Sequence, residues 1–311
     1  MISTASLCES SGFGLYLAGD KKGPASVDVS PSHFISFAKQ EEMFPGFAAL
    51  CPANHYARKN FGYLAAMHAG ATVICDLDDD NTPSEAFFNA VLGVESVSFV
   101  KTDGWLNIYN EFSEENVWPR GYPLAEIQRE REVSRGTAEL DCPVVQFLAD
   151  GDPDVDAIYR FVGKIPIYFG EGKLALEVGT WCPFNSQCTH WDSRVFALLY
   201  LPSFCPFRMT DIWRSFIAQR LLWENGMRLA FQSPGVFQDR NEHDLLVDFK
   251  DEQLGYLYNA EICQKLMRMP FKGGLSNLGD DMISGYEAFV DASLIDRKEL
   301  TLLEAWLEAL P

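Results

Sequence analysis

The chain of 311 residues is acidic, with 25 lysines and arginines against 44 aspartates and glutamates and a formal net charge of −19. Hydrophobic residues make up 47% of the chain, which supports a sizeable core and argues against disorder. The acidic balance and the lack of a basic run argue against binding to a nucleic-acid backbone. The longest apolar stretch, residues 195–201, is far shorter than the ~20 residues that span a bilayer, and residues 1–12 show no secretory signal. We therefore expect a cytoplasmic protein without membrane contact.

The eight cysteines are widely spaced and include no Cys-x-x-Cys pair. In a large chain without a secretory signal, this pattern predicts reduced thiols in the core rather than a disulfide framework. Structural zinc sites need clustered cysteine or histidine ligands, so the spacing also argues against one.

Strand and helix signals alternate in the first 80 residues. The predicted elements are a strand at 14–18, helices at 32–43 and 55–69, and a strand at 71–77. Gly70 stands where a helix C-cap is expected, and the last strand ends abruptly in Asp78-Asp79-Asp80. Strand, helix and strand in this order predict a βαβ unit with a parallel sheet. Ligands bind beyond the carboxyl ends of such strands, where Gly19-Asp20 and the Asp triplet fall.

The remaining elements are shorter strands followed by longer helices. They are strands at 96–100, 144–148 and 165–169, a helix from an N-cap at Thr210 to Gly226, a strand at 227–231, and helices at 248–269 and 296–310. We find no internal repeat, low-complexity tract or linker. The pattern predicts one mixed α/β domain, residues 1–270, with a helical C-terminal extension, residues 271–311.

The Asp triplet is the sharpest local feature of the sequence. Three adjacent carboxylates repel one another, so a solvated acidic turn is one interpretation. The preceding apolar strand favours another, since it brings the triplet to the ligand edge of the sheet. In proteins, Mg²⁺ typically bridges one or two carboxylates to the phosphates of a substrate. Shortly before the strand, Arg58, Lys59 and Asn60 could face a phosphate or a base, or the two basic side chains could simply be solvated.

Several segments, in order along the chain, resemble the plant STELLO family of glycosyltransferases. They are 57–64 (ARKNFGYL), 70–74 (GATVI), 78–81 (DDDN), 118–124 (WPRGYPL), 149–158 (ADGDPDVDAI), 183–189 (PFNSQCT), 210–214 (TDIWR), 219–223 (QRLLW) and 238–243 (QDRNEH). The Asp triplet and the Arg-Gly-Tyr-Pro segment also resemble, more weakly, the reversibly glycosylated polypeptides, which are UDP-arabinopyranose mutases. Both resemblances imply a GT-A fold, a nucleotide-sugar donor that is usually UDP-linked, and a Mn²⁺ or Mg²⁺ ion. STELLO proteins carry an N-terminal membrane anchor and act in the Golgi, an address that we do not expect to transfer.

The resemblance implies roles for donor-binding and metal-binding residues. Asp78 and Asp80 would hold the metal, with Asp79 alongside, and His243 would complete the metal shell unless it is merely solvated. Asp20 would contact the base or the ribose, unless it is a plain turn residue. Arg58, Lys59 and Asn60 would belong to the donor site.

The resemblance also implies the catalytic residues. Asp211 would be the base that deprotonates the acceptor hydroxyl, with helix capping as its structural alternative. Asp154 and Asp156, in an Asp-rich loop, would bind sugar hydroxyls or form turns, and Asp156 is the second candidate base. Arg120 would clamp a diphosphate, become transiently glycosylated as in the mutases, or brace a loop; we favour the clamp.

Three functions remain open at this stage. The first is a metal-dependent glycosyltransferase that uses a nucleotide sugar and an unknown acceptor, such as a glycan, a protein or a small molecule. The second is a nucleotide-sugar mutase that works through a glycosylated Arg120. The third is a scaffold that binds the donor without turnover.

Overall fold

The computed structural model describes residues 2–241 and 244–311. Within them, eleven strands and nine α-helices form, together with seven short 3₁₀ helices. The strands are β1 Tyr16–Ala18, β2 His33–Ile35, β3 Val73–Leu77, β4 Asn81–Pro83, β5 Gly93–Lys101, β6 Gly104–Trp105, β7 Ser134–Gly151, β8 Lys173–Leu176, β9 Thr180–Trp181, β10 Cys188–Asp192 and β11 Met227–Gln238. The helices are α1 Ile2–Ser10, α2 Phe37–Met43, α3 Pro45–Leu50, α4 Asn60–His68, α5 Ala157–Val162, α6 Thr210–Glu224, α7 Leu245–Arg268, α8 Leu278–Asp291 and α9 Lys298–Ala309.

Seven strands form a mixed central sheet in the order β3-β10-β7-β5-β8-β11-β4. Its longest strand is β7, whose first half pairs antiparallel with β5 and whose second half runs parallel to β11 and antiparallel to β10. Residues 142–149 of β7 are all buried, which is typical of a central strand covered on both faces. A mixed α/β fold is therefore confirmed, and it is consistent with a GT-A-like domain. Two further pairs of parallel strands, β1-β2 and β6-β9, stand apart from this sheet.

Helix α6 packs at the centre of the helical layer, where nearly all of its residues are buried. Trp213 of α6 contacts Phe289 of α8, with ring centroids 5.5 Å apart. Trp306 of α9 is fully buried and lies against Phe47 of α3 at 6.0 Å. Residues 271–311 thus pack closely on the preceding chain, and the boundary at residue 270 stays a prediction.

The prediction of a parallel βαβ unit at the start of the chain is wrong in its pairing. Strand β1 pairs with β2, while β3 pairs antiparallel with β10. The predicted helix 32–43 is likewise half strand, because β2 occupies its first residues and α2 begins only after Ser36. The Ser36 hydroxyl accepts a hydrogen bond from the Lys39 amide and so caps that helix.

Two later predictions also differ from the structure. Thr210 is the first residue of α6 rather than its cap, and the preceding Met209 makes no side-chain cap. The predicted strand 165–169 is reduced to a single bridge between Ile167 and Gly151. Gly70, with φ of +86°, does end helix α4 in the left-handed conformation that favours glycine.

The eight cysteines all lie in the described residues and are unpaired, as predicted. Across residues 2–241 and 244–311, we find no helix that is both long and apolar enough to span a bilayer.

Candidate functional site

A polar cavity of about 260 Å³ opens at the carboxyl end of β3. Its lining brings together the Asp triplet, aromatic and amide side chains, and three arginines: Tyr56, Asp78, Asp79, Asp80, Arg120, Asp154, Asn185, Gln187, Phe207, Arg208, Asp211, Gln238, Arg240 and Asn241. We call this the acidic cavity. Segments far apart in the sequence meet here, so the fold converges on this edge of the sheet.

Lys59 links the acidic cavity to the strand behind it. Its ammonium group lies 2.6 Å from Oδ1 of Asp76 and 2.6 Å from Oδ1 of Asp78. These two aspartates are two residues apart in and just after β3, so their side chains point to the same face. Burial alone would lower the pKa of Lys59, but Asp76 and Asp78 together raise it above its ordinary range. Lys59 is therefore a permanent cation at the base of the triplet.

The three aspartates of the triplet have different surroundings. Asp78 also accepts a hydrogen bond from the Tyr56 hydroxyl at 3.2 Å, and its burial raises its pKa to about 6 although Lys59 acts in the opposite direction. Asp80 accepts hydrogen bonds from the side-chain amides of Asn81 and Gln238. Asp79 is exposed. The triplet thus presents one carboxylate held by a lysine, one held by amides and one open to solvent.

Arg120 is held by internal partners through all five of its N–H groups. Nε and Nη2 donate to the two oxygens of Asp154, both at 2.8 Å. Nη1 and Nη2 donate to the two oxygens of Asp211 at 3.0 and 2.9 Å. The remaining Nη1 hydrogen bond goes to the backbone carbonyl of Arg208. A guanidinium has five donors, so Arg120 has none to spare for a diphosphate, and the structure favours the bracing role over the clamp.

Asp211 is equally enclosed. Besides Arg120, the amide and the hydroxyl of Ser186 and the amide of Ile212 donate to its carboxylate. Burial alone would raise its pKa, but Arg120 holds the pKa of the Asp211 carboxyl below its usual range. A carboxylate with so many donors is a weak base. The geometry therefore favours Asp211 as the anchor of Arg120 over Asp211 as the catalytic base.

Two of the predicted donor residues lie in the core. Arg58 is buried, where it donates to the Gln40 side chain and to the Cys51 carbonyl and stacks over Phe61. Asn60 is also buried and makes two hydrogen bonds, each 2.9 Å, to the backbone of Leu201. Arg58, in the turn before α4, and Asn60, the first residue of α4, fix the start of this helix to its neighbours. Of the three residues predicted to bind the donor here, Lys59 is the one that contacts the triplet.

The other predicted residues outside the cavity have local structural roles. Asp20 accepts hydrogen bonds from the backbone amides of Asn54 and His55, and so joins two loops. Asp156, which the sequence places in an Asp-rich loop as a sugar-binding residue, a turn former or the second candidate base, is fully buried. It caps α5 through the Tyr159 amide at 2.7 Å and accepts from the Trp118 indole at 2.8 Å. His243 lies outside the described residues.

The sequence reasoning missed Asp76, which it counted within an apolar strand. Asp76 is 1% exposed. Besides its ion pair with Lys59, its Oδ2 lies 3.5 Å from Nη1 of Arg214. The available signal was the spacing Asp76-Leu-Asp78, because alternate residues of a strand share a face. Gln187 and Gln238, which bond to each other and line the cavity, were missed without any such signal.

Asp78 and Asp80 fit one common mode of divalent-cation binding. Among residues 2–241 and 244–311, no group of three His, Cys, Asp or Glu side chains is arranged to hold a metal. Mg²⁺, however, usually takes one or two carboxylates together with substrate phosphates and water. Both carboxylates line the acidic cavity, and Asp80 is the less encumbered of the two because its partners are neutral amides.

Comparison with known proteins identifies the family that this chain resembles. The family model described as STELLO glycosyltransferases matches residues 208–311, which include α6 and the end of the cavity lining. The Arabidopsis thaliana protein named "Probable glycosyltransferase STELLO1" is 32% identical over 275 residues, which cover 79% of this chain. "Probable glycosyltransferase STELLO2", from the same organism, is 31% identical over 267 residues, or 77% of the chain. The chain is a relative of the STELLO glycosyltransferases.

The match covers only part of these STELLO proteins. The chain spans 35% of the length of the first and 34% of the length of the second. The resemblance predicted from the sequence motifs is confirmed. For this chain, the activity of the full-length relatives is therefore a proposal.

Proposed function

We propose that the chain transfers a sugar from a nucleoside-diphosphate sugar, with UDP as the favoured nucleotide, to an acceptor hydroxyl with the help of Mn²⁺ or Mg²⁺. The observation that carries the proposal is the Asp triplet at the carboxyl end of β3, where it opens into the acidic cavity of a STELLO relative. Ligands of α/β sheets bind at this edge.

The charges around the triplet support a divalent cation as cofactor. Lys59 is shared between Asp76 and Asp78, and Arg120 is consumed by Asp154 and Asp211. Arg208 and Arg240, which also line the cavity, are paired with Glu252 and Asp248. A diphosphate next to Asp79 and Asp80 would therefore meet carboxylates unless a cation lay between them. A cation bound by Asp78 and Asp80 would neutralise the charge on the departing nucleoside diphosphate.

Aromatic side chains at the mouth of the cavity offer a surface for the nucleobase. The ring of Phe207 is half exposed and lies edge-on to Tyr56 and His55, with centroids 5.9 and 6.1 Å away. A flat base can stack on such a ring, which contributes about 1–3 kcal/mol per base in nucleic-acid complexes. We assign Phe207 to the base end of the donor.

The geometry disfavours the mutase alternative. A glycosylated arginine needs a guanidinium nitrogen that can attack the sugar. Every N–H group of Arg120 is bonded, and the two neighbouring carboxylates hold its pKa above the ordinary range despite its burial. Arg120 is thus kept protonated and turned toward Asp154 and Asp211.

The binding of UDP, followed by the melting temperature of the protein, tests the metal-dependent donor site directly. We expect UDP to raise the melting temperature only when Mn²⁺ or Mg²⁺ is present, because a ligand stabilises a protein only when it binds. Asp80→Asn should abolish this shift, and Asp291→Asn, an exposed aspartate at the end of α8, is the matched control. Stabilisation by UDP of equal size in EDTA would contradict the metal assignment.

Incubation of the protein with a panel of labelled nucleotide sugars and Mn²⁺ separates the three functions by their products. Hydrolysis of a nucleotide sugar, or transfer to an added acceptor, supports the glycosyltransferase. A change of ring size, or label retained on the protein, would instead indicate a mutase. Binding without turnover of any donor in the panel would indicate a scaffold.

A further inference from the structure

A groove of about 360 Å³ lies along the C-terminal half of α7 and shares no lining residue with the acidic cavity. Trp105 of β6 and Trp181 of β9 lie at its base, and we call it the Trp105–Trp181 groove. The rise of an α-helix puts Gln264, in the wall of the groove, roughly 18 Å along α7 from Glu252. Glu252 contacts Arg208 of the acidic cavity. The groove is therefore separate from the site described above.

The charged side chains of the groove carry a net positive charge in a strongly acidic chain. Arg129, Arg131 and Arg268 line it, against Asp103 and Glu126. The chain as a whole carries a formal net charge of −19. An anion that most of the protein repels would be attracted locally to this groove.

Arg131 is held in place but keeps part of its hydrogen-bonding capacity. Its Nε and Nη2 donate to Oε2 of Glu126, and its Nη1 donates to the backbone carbonyl of Asp103. Gly104, with φ of +102°, makes room for the guanidinium, because a Cβ atom there would lie 3.2 Å from Nη1 of Arg131. A guanidinium has five N–H donors. Two of them thus remain without an acceptor in the part of the chain that the structure describes.

Two further arginines add donors at the rim of the groove. Arg268, in the last turn of α7, is exposed, and its side chain has no ion pair or hydrogen bond within residues 2–241 and 244–311. Arg129 donates from Nη1 to Oε1 of Glu126 at 3.2 Å. Both oxygens of Glu126 are therefore occupied by arginines. The planar guanidinium of an arginine matches the two oxygens of a carboxylate or a phosphate.

The base of the groove contributes two indole N–H groups. Trp105 is 5% exposed and Trp181 is 3% exposed. Among the described residues, neither indole N–H has an acceptor, yet neither is sealed from solvent as those of Trp191 and Trp223 are. The N–H group of a buried tryptophan usually finds a hydrogen-bond partner. Since both side chains line the groove, an oxygen of a ligand bound there would supply one.

The apolar part of the lining and the volume of the groove limit the size of the ligand. Ala260, Cys263 and Met267 of α7 line the groove together with the two indoles. The volume of about 360 Å³ falls at the lower end of small-molecule sites, which measure about 300–1,000 Å³. The groove therefore suits a compact ring that carries an anionic group.

We propose that the Trp105–Trp181 groove binds a small organic anion. Its carboxylate or phosphate group lies against Arg131 and Arg268, and its ring-sized body lies over the two indoles. The proposal does not rest on the proposed function, since the two sites have no lining residue in common.

Isothermal titration calorimetry of the 311-residue chain with three probes tests this inference. Glucuronate carries a carboxylate, glucose 1-phosphate carries a phosphate, and glucose carries neither. We expect at least one of the two anions to bind at low salt, with an affinity that falls as the salt concentration rises, and glucose not to bind. The anion that binds more tightly identifies the charged group that the groove prefers.

Two variants locate the bound anion. Arg268→Gln should weaken its binding by about tenfold, the scale of one charge-assisted hydrogen bond. Arg297→Gln, at an exposed arginine outside the groove, is the matched control and should leave the affinity unchanged. Trp105→Phe keeps an aromatic ring but removes the N–H group, so it should weaken binding by about threefold.

Four results would overturn the proposal. They are the binding of neither anion, equal affinity for glucose, full affinity in the Arg268→Gln protein, and displacement of the bound anion by UDP with Mn²⁺. The last result would mean that the anion occupies the acidic cavity. The melting temperature of each variant without ligand shows that it remains folded.

Discussion

Arg120 and Asp211 share two charge-assisted hydrogen bonds, from Nη1 to Oδ1 at 3.0 Å and from Nη2 to Oδ2 at 2.9 Å. Both side chains are buried, and Asp154 accepts from the other side of the same guanidinium. This arrangement ties the segment before Tyr122, the loop before α5 and the start of α6 into one unit. The floor of the acidic cavity therefore depends on a closed ion cluster.

Asp211→Asn is expected to destabilise the protein by about 3–5 kcal/mol, because it leaves part of a buried guanidinium charge without its counter-ion. Urea unfolding measures the loss. Asp141→Asn is the matched control, since Asp141 forms the same bidentate pair with Arg194 in a partly exposed setting and should cost less than about 1 kcal/mol. Unchanged stability of Asp211→Asn, together with a loss of turnover of about 10²-fold or more, would instead identify Asp211 as the base.

Gly121→Ala tests the backbone next to Arg120. Gly121 has φ of +85°, and a Cβ atom there would lie 2.4 Å from Cγ2 of Ile212 and 3.3 Å from Cβ of Pro183. Backbone strain and overpacking together predict a loss of about 2–4 kcal/mol of unfolding free energy. Gly46→Ala should be neutral or slightly stabilising, because the added Cβ atom would meet no heavy atom within 4 Å apart from its chain neighbours and the backbone of its own helix. Equal effects at the two glycines would show that the Arg-Gly-Tyr-Pro turn is not tightly packed.

Lys59→Met is expected to strengthen the binding of a cation at the triplet. Lys59 lies 2.6 Å from both Asp76 and Asp78, so its removal makes the triplet more negative. If Asp78 helps to hold the cation, the affinity for Mn²⁺ without nucleotide should rise by about tenfold, as one removed charge at this range permits. Calorimetric titration of Mn²⁺ measures the change, with the exposed Lys39→Met as control. An unchanged or weaker Mn²⁺ affinity in a folded Lys59→Met protein would argue against a metal at Asp78.

Local sequence signals predict the position of the site but not which side chains pair with each other there. The apolar run before the Asp triplet, and Gly70 at the preceding helix end, are enough to place the triplet at the end of a strand. The roles of Arg58 and Lys59 cannot be separated in the same way. Their burial depends on how α4 docks onto α2 and β3, and neighbouring residues on one turn point in different directions. Arg58 enters the core, whereas Lys59 reaches Asp76 and Asp78.

The Arg120 cluster shows the same limit for long-range contacts. Its acceptors come from Asp154, Arg208 and Asp211, which lie 34, 88 and 91 residues away in the sequence. The sequence predicts a diphosphate clamp for Arg120 and a catalytic base for Asp211. Nothing in the sequence indicates that these two side chains pair with each other. In the structure, all five N–H groups of Arg120 donate to protein acceptors. This pairing favours a structural role for both residues.

His190 is expected to make the protein sensitive to acid. It lies in β10, 1% exposed, with its ring against Phe87 at 4.5 Å and Phe147 at 5.1 Å. Burial lowers its pKa to about 3 from the ordinary value of 6.5. As pH falls below 6.5, the unfolded chain gains a proton at this residue and the folded chain does not, so the free energy of unfolding falls. The fall continues to pH 3, with a slope of at most about 1.4 kcal/mol per pH unit.

The variant His190→Phe should remove the contribution of this residue to the pH dependence of the unfolding free energy. Urea unfolding from pH 7 to pH 4 measures that dependence. Val145→Ala, at the register partner of His190 in β7, should lower stability by the same amount at every pH. Parallel pH curves for wild type and His190→Phe would mean that the folded protein accommodates a protonated imidazole at this position.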